Sequence, residues 1–171
     1  MPADLESILA MLAAFVLALP IGWDREAADR SMGLRTFPLI SVASCAFLVI
    51  AQHASPDHPG EWMKTLEGVA TGVGFIGAGA IVKHGISVLG TATAAGVWMT
   101  AAMGAATAFH EWAIAIALSV LGFCTLHLMK RASPEGKSLD RADIADSKKG
   151  DAKATAKHAD NDEDEAAKAA T

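Results

Sequence analysis

Asp24, Glu26 and Asp29 put three carboxylates within six residues, the densest set of hard oxygen donors in residues 1–129. Mg²⁺ typically takes one or two carboxylates and keeps several waters, so the trio is a candidate divalent-cation site. Arg25 and Arg30 are interleaved with it. On a continuing helix, Arg25/Asp29 and Glu26/Arg30 fall at i,i+4 and offset each other's charge. The cluster then reads either as a solvated helix end or as a coupling surface at the mouth of a bundle. A loop-to-helix junction follows, with Arg35 before Thr36 as N-cap and Pro38 in the first turn. Nothing in the chain points to an enzyme, a resident cofactor or a nucleic-acid partner.

The elements that must hold these residues are membrane spans. The 171-residue chain is 19% charged with net charge -5, but the charge is unevenly placed. Residues 130–171 hold 9 of the 14 Lys+Arg and 10 of the 19 Asp+Glu. The first 129 residues cannot cover themselves with polar groups, and their solvent is expected to be lipid. The tail lacks large apolar residues and is expected to be a disordered, charged cytoplasmic segment. Cys45 and Cys124 lie in apolar runs and read as small buried hydrophobes. The first run follows Asp4 and Glu6 rather than basic residues, so it is expected to be a retained helix, not a signal peptide.

Five apolar runs predict five transmembrane helices: Leu5–Gly22, Thr36–Ala51, Leu66–Val82, Thr91–Phe109 and Trp112–Met129. The predicted fold class is an all-α polytopic membrane bundle. Trp23, Trp62 and Trp112 fall at run boundaries, where interfaces favour amphipathic rings. Five spans place Arg25, Arg30, Arg35, Lys83, Lys130 and Arg131 on one side, against Lys64 alone on the other. That positive-inside bias predicts an N-terminus outside and a cytoplasmic tail. Arg25, Arg35, Thr36 and Lys83 then mark the cytoplasmic junctions. The opposite face carries Asp4, Glu6, Asp57, Glu61, Glu67 and Glu111 with His53, His58 and His110. It reads as an ordinary acidic loop surface or as a cation- and pH-responsive face.

The third and fourth runs differ from the rest in being built of Gly, Ala and Thr. Gly68, Gly72, Gly74, Gly77 and Gly79 fall within twelve residues. Such small residues let backbones approach where no hydrophobic force drives association, so runs 3 and 4 are expected at the centre. Trp98, mid-run, is expected to pack inside. Gly72–Gly77 also spells G-x-G-x-x-G, but without the strand, βαβ unit and acidic residue of a dinucleotide site. A second reading breaks helix 3 at its glycines and opens carbonyls, with Thr71, Thr93 or Thr100, to a cation path. No charge lies at mid-depth in any run, so no intramembrane proton relay is expected.

Two blocks carry a family signal. One is Gly22-Trp-Asp-Arg-Glu26 followed by Gly33-Leu-Arg-Thr36; the other is Gly72-Val-Gly-Phe-Ile-Gly-Ala-Gly-Ala-Ile-Val-Lys83 with Thr93-Ala-Ala-Gly-Val-Trp98 and Ala101-Ala-Met-Gly104. Over roughly residues 5–129 the chain resembles the MgtC/SapB family of bacterial inner-membrane proteins. It departs from the family pattern at Leu89-Gly-Thr-Ala-Thr-Ala94, where Arg-Gly-Leu-Thr-Thr-Ala is usual, and at Asp24, where Glu is common. Longer members carry an ACT-like C-terminal domain, and this tail is too short and charged to be one. The resemblance implies a role in magnesium homeostasis or stress adaptation. It implies action by modulating another membrane protein, as the long members are held to act on targets that include the F-type ATP synthase, with Mg²⁺ as the regulated or bound ion. The expected partners are the lipid bilayer and another membrane protein or a second copy. The alternative is a Mg²⁺ transporter or channel through helix 3.

Overall fold

The computed structural model describes residues 3–26, 32–84 and 87–132. The expected tail and the pairs to Asp29 and Arg30 lie outside the described residues. Residues 1–129 form one compact unit.

Among the described residues five helices carry it. α1 (Ala3–Glu26) continues through Pro20, with Asp4 and Glu6 in its first turn and Arg25 in its last, each complementing the helix dipole. α2 (Thr36–Ala54) starts one residue earlier than an N-cap at Thr36 would allow: Arg35 is the cap and Thr36 the first helical residue. Among the described residues no side chain caps α2. The Gly33 carbonyl serves instead, accepting from Thr36 N at 3.0 Å and Phe37 N at 3.2 Å. α3 (Pro59–Gly79) begins seven residues ahead of its apolar run because Pro59 presets the first turn. It runs unbroken through all five glycines. The broken-helix reading is therefore corrected; glycine lowers helix propensity by only about 1 kcal/mol per residue, which tertiary context overrides.

A feature absent from the expected fold separates α3 from α4. β1 (Val82–His84) pairs antiparallel with β2 (Ser87–Leu89), Val82 opposite Leu89. Gly90 then turns the chain into α4 (Thr91–Ala108) with φ +86°, and a Cβ there would overlap the Ala80 carbonyl oxygen. Gly90→Ala is expected to cost about 1–2 kcal/mol from the left-handed conformation alone, and more from the overlap. A fall in the thermal midpoint of purified protein checks this; an unchanged midpoint would refute the hairpin geometry. α5 (Trp112–Ala132) completes the bundle.

The centre is α4 alone, a correction to the expected α3–α4 pair. Eleven residues of α4 are buried, against only Val73 and Gly77 in α3. α1, α2 and α3 all lie against α4, leaving α3 at an edge. Trp98 is 57% exposed, not packed inside. Among the α3 glycines, Gly77 alone meets a neighbour, with a Cβ 3.4 Å from the Ala94 carbonyl oxygen. Side chains built at Gly68, Gly72, Gly74 or Gly79 would enter open space. The glycines that pack are elsewhere. Gly96 faces Phe37, Gly104 the Ser41 backbone, and Gly122 the Ile21 and Met99 side chains.

The apolar core has two layers. Ile21, Phe37, Val97, Met103 and Leu126 belong to one, and Ala14, Cys45, Leu48 and Ala105 to the other. Cys124, expected buried, is exposed. Large apolar side chains cover the outside, including Leu12 and Val16 of α1, Leu39 and Ile50 of α2, Phe75 of α3 and Leu121 of α5. α1 and α2 are long and apolar enough to cross a membrane, and α5 adds a shorter apolar stretch, Trp112–Leu128. An apolar exterior on this scale fits a membrane helix bundle.

Candidate functional site

The first motif block is a docking joint between α1 and the turn that starts α2. Gly22 lets the backbone of that turn approach, since a Cβ would lie 3.1 Å from Leu34 Cα. Glu26 Oε2 accepts from Leu34 N at 3.1 Å. Gly33 sits directly against that carboxylate, and a Cβ at Gly33 would collide with it. Glu26 therefore spends one oxygen on the backbone rather than on an ion.

Asp24 faces the other way. Its carboxylate is almost fully buried, with Arg25 Nη2 donating to Oδ2 at 3.2 Å. His127 Nδ1 of α5 lies 3.0 Å from Oδ1 and donates to it when protonated. The His127 ring stacks on Phe123 with centroids 5.3 Å apart. Arg25 is also buried, at 6% exposure, and its Nε finds no acceptor among the described residues. A buried guanidinium with an incomplete set of partners depends heavily on its carboxylate, here Asp24. The site is thus a charged clasp tying the end of α1 to the last turns of α5.

Of the expected metal trio, Asp24 and Glu26 point to different partners and Asp29 lies outside the described residues. Among the described residues no group of three His, Cys, Asp or Glu side chains is placed to hold a metal. Arg35 is exposed at the start of α2, and Lys83 lies in β1 opposite Val88. Two of the three threonines suggested for a pathway bond to their own helix backbone. Thr71 donates to Glu67 O and Thr100 to Gly96 O, both at 2.8 Å, and Thr93 is buried.

The opposite end is polar and more open. His53 Nε2 lies 3.5 Å from Ser7 Oγ, and His110 Nε2 lies 3.7 Å from Glu6 Oε1. Gln52 donates to Ala108 O at 3.2 Å, and together these groups line a cavity of about 70 Å³. His58 instead stands at the N-cap of α3. Ahead of that helix's apolar run, Lys64 donates to Glu61 at 2.8 Å and holds the Glu61 carboxyl below its ordinary range. Asp4, Asp57, Glu67 and Glu111 are exposed at this end, so the expected acidic face is present.

The joint, the clasp and the α3–hairpin–α4 unit all fall inside one family match: a model described as the MgtC family covers residues 11–134. The chain belongs to the MgtC family. It is 33% identical to the protein MgtC of Salmonella typhimurium over 126 residues, which are 74% of this chain and 53% of that one. It is 32% identical to the protein SrpB of Synechococcus elongatus over 133 residues, 71% of this chain and 73% of SrpB. It is 33% identical over 129 residues to a protein of Escherichia coli K12 named putative magnesium transporter YhiD, 72% of this chain and 60% of that one. The chain spans about half the length of the Salmonella MgtC protein. No solved structure matches it.

Within this MgtC-family domain, sequence reasoning missed His127. Asp24 lies 103 positions away, so no local spacing signals the pair. The available cue was topological, since five spans bring both residues to the same end.

Proposed function

We propose that this MgtC-family chain is a non-enzymatic inner-membrane protein that serves magnesium homeostasis by modulating another membrane protein through α3. The N-terminus is outside, and the Asp24 end and the tail are cytoplasmic, as the Lys/Arg distribution favours. The observation that carries this reading is the outer face of α3. Thr71, Gly74 and Ala78 lie there exposed beside Phe75, itself 83% exposed. A Cβ at Gly74 would meet nothing within 4 Å. In lipid, a small-xxx-small face such as Gly74/Ala78 is where a second helix backbone can approach closely. The name of one relative, putative magnesium transporter YhiD, supports magnesium as the context.

Gly74→Leu is the test, because it closes that face without touching the bundle. The variant is expected to keep the wild-type thermal midpoint and to lose the membrane protein that co-purifies under magnesium limitation. Retention of that protein by Gly74→Leu would overturn the reading. The name of YhiD favours the alternative of Mg²⁺ transport. Saturable Mg²⁺ flux into liposomes holding only the purified chain would establish it and displace the modulator.

A further inference from the structure

α3 has a second open face, and it is shaped for a different occupant. Gly68 and Gly72 are both exposed, a Cβ at either would meet nothing within 4 Å among the described residues, and they form one wall of a cavity of about 770 Å³ against α2. Leu39 and Phe47 of α2 and Ile76 of α3 complete its apolar lining, and Arg35 stands at one end. On α3, Gly68 and Gly72 are turned away from Gly74 and Ala78, at 100° per residue, so this groove is separate from the face assigned to a protein partner.

Three features say what fits. The volume is within the ~300–1,000 Å³ of small-molecule sites, and the walls are apolar. From Arg35 to Phe47 the groove follows α2 for about 18 Å at ~1.5 Å per residue. That is about one leaflet, half of a ~30 Å hydrocarbon core, and not a full span. Beyond it α2 and α3 are joined by residues 55–58, where Trp62 Nε1 donates to Ser55 O at 2.8 Å. A spanning partner helix would need the full depth; a single acyl chain needs one leaflet. The third feature is charge. Arg35 is exposed at the mouth, and among the described residues no carboxylate is paired with it. α2 begins there, among the described residues without a side-chain cap, and adds the positive end of its dipole.

We infer that the α2–α3 groove is a binding site for one anionic phospholipid, with an acyl chain along Gly68 and Gly72 and the phosphate on Arg35. Basic pockets between membrane helices recognise anionic headgroups in this way, at about 1 kcal/mol, or roughly fivefold, per Arg near the surface. The acyl chain supplies affinity and Arg35 the headgroup preference. The two contributions are separable by substitution.

The full-length chain, purified and stripped of lipid, is titrated with dioleoyl phosphatidylglycerol, dioleoyl phosphatidylcholine and glycerol 3-phosphate. Retained lipid is read by native mass spectrometry and stabilisation by the thermal midpoint. Phosphatidylglycerol is expected to bind one to one and raise the midpoint, with phosphatidylcholine about fivefold weaker. Arg35→Gln should erase that preference and leave the weaker binding. Gly72→Leu, and Gly68→Leu as a second variant, should keep the lipid-free midpoint and lose both lipids, while Gly74→Leu binds as wild type. Equal binding of the two lipids by wild type, or undiminished binding by both groove variants, would overturn the site. So would competition by glycerol 3-phosphate alone, or a dimer that Gly72→Leu dissolves without any change in lipid.

Discussion

Gly104→Ala is expected to lower the thermal midpoint of the purified chain by on the order of 10 °C, although it adds one methyl group. α2 and α4 cross there backbone to backbone. A Cβ at Gly104 would overlap the Ser41 carbonyl oxygen and sit 2.8 Å from its carbon and 3.0 Å from its Cα. A side chain can rotate away from such a contact, but the backbone of α2 cannot. Both helices must separate, at about 3 kcal/mol, the upper end of the ~1–3 kcal/mol usual for overpacking. Separation also disturbs the Thr107 to Gly104 O bond at 2.7 Å and the buried Ser41 hydroxyl beside it. Gly74→Ala is the internal control, since it adds the same methyl into open space. Equal midpoints for the two variants would show that α2 and α4 do not cross at Gly104.

That contrast explains which parts of the fold were legible in the sequence. The apolar runs located all five helices, because lipid imposes one requirement that hydropathy reads directly. They placed the starts of α2, α4 and α5 at Thr36, Thr91 and Trp112, as found, and misjudged that of α3: its first turns contain Gly60, Glu61 and Lys64, which hydropathy counts against a helix that Pro59 nonetheless initiates. The dense glycine block drew attention to α3, but glycines at 68, 72, 74, 77 and 79 point around most of the helix. Only the one facing α4 packs. The better signal was quieter. Ala101, Gly104, Ala105 and Ala108 recur at i, i+3, i+4 and i+7, and all are buried. A single small stripe marks a central helix, whereas glycines on every side mark one with open faces.

The chemistry was less legible than the fold. Asp24, Glu26 and Asp29 form a cluster by position in the chain, yet a helix turn sends Asp24 inward to Arg25 and Glu26 outward to Leu34 N. Carboxylates two residues apart on a helix point to nearly opposite sides, at ~100° per residue, so density of carboxylates along the sequence does not make a shared site. The junction residues fared better. Gly22, Glu26 and Gly33 recur in the family signal, and the structure gives each a steric or hydrogen-bonding reason. The close approach of the end of α1 to Gly33 and Leu34 is what they specify.

The clasp provides the other large effect. Asp24→Ala is expected to destabilise the chain by about 3–5 kcal/mol, because it leaves the buried Arg25 guanidinium without its carboxylate. Arg25 already has one unpartnered nitrogen, and among the described residues no spare acceptor is at hand to replace Asp24. Removing both charges together, as Asp24→Leu with Arg25→Met, should recover most of that loss, since an apolar pair of similar volume carries no stranded charge. The single and double variants are compared by thermal midpoint in the same detergent. A double variant as unstable as Asp24→Ala would mean that the carboxylate acts through something other than Arg25. His127→Phe separates the remaining contribution. It keeps the stacking on Phe123 and deletes the bond to Asp24, so a smaller loss of about 1 kcal/mol is expected for a partly exposed hydrogen bond. If Asp24 instead held Mg²⁺, Asp24→Asn would abolish a Mg²⁺-dependent rise in the midpoint. The geometry favours the clasp, in which Mg²⁺ leaves the midpoints of wild type and Asp24→Asn unchanged.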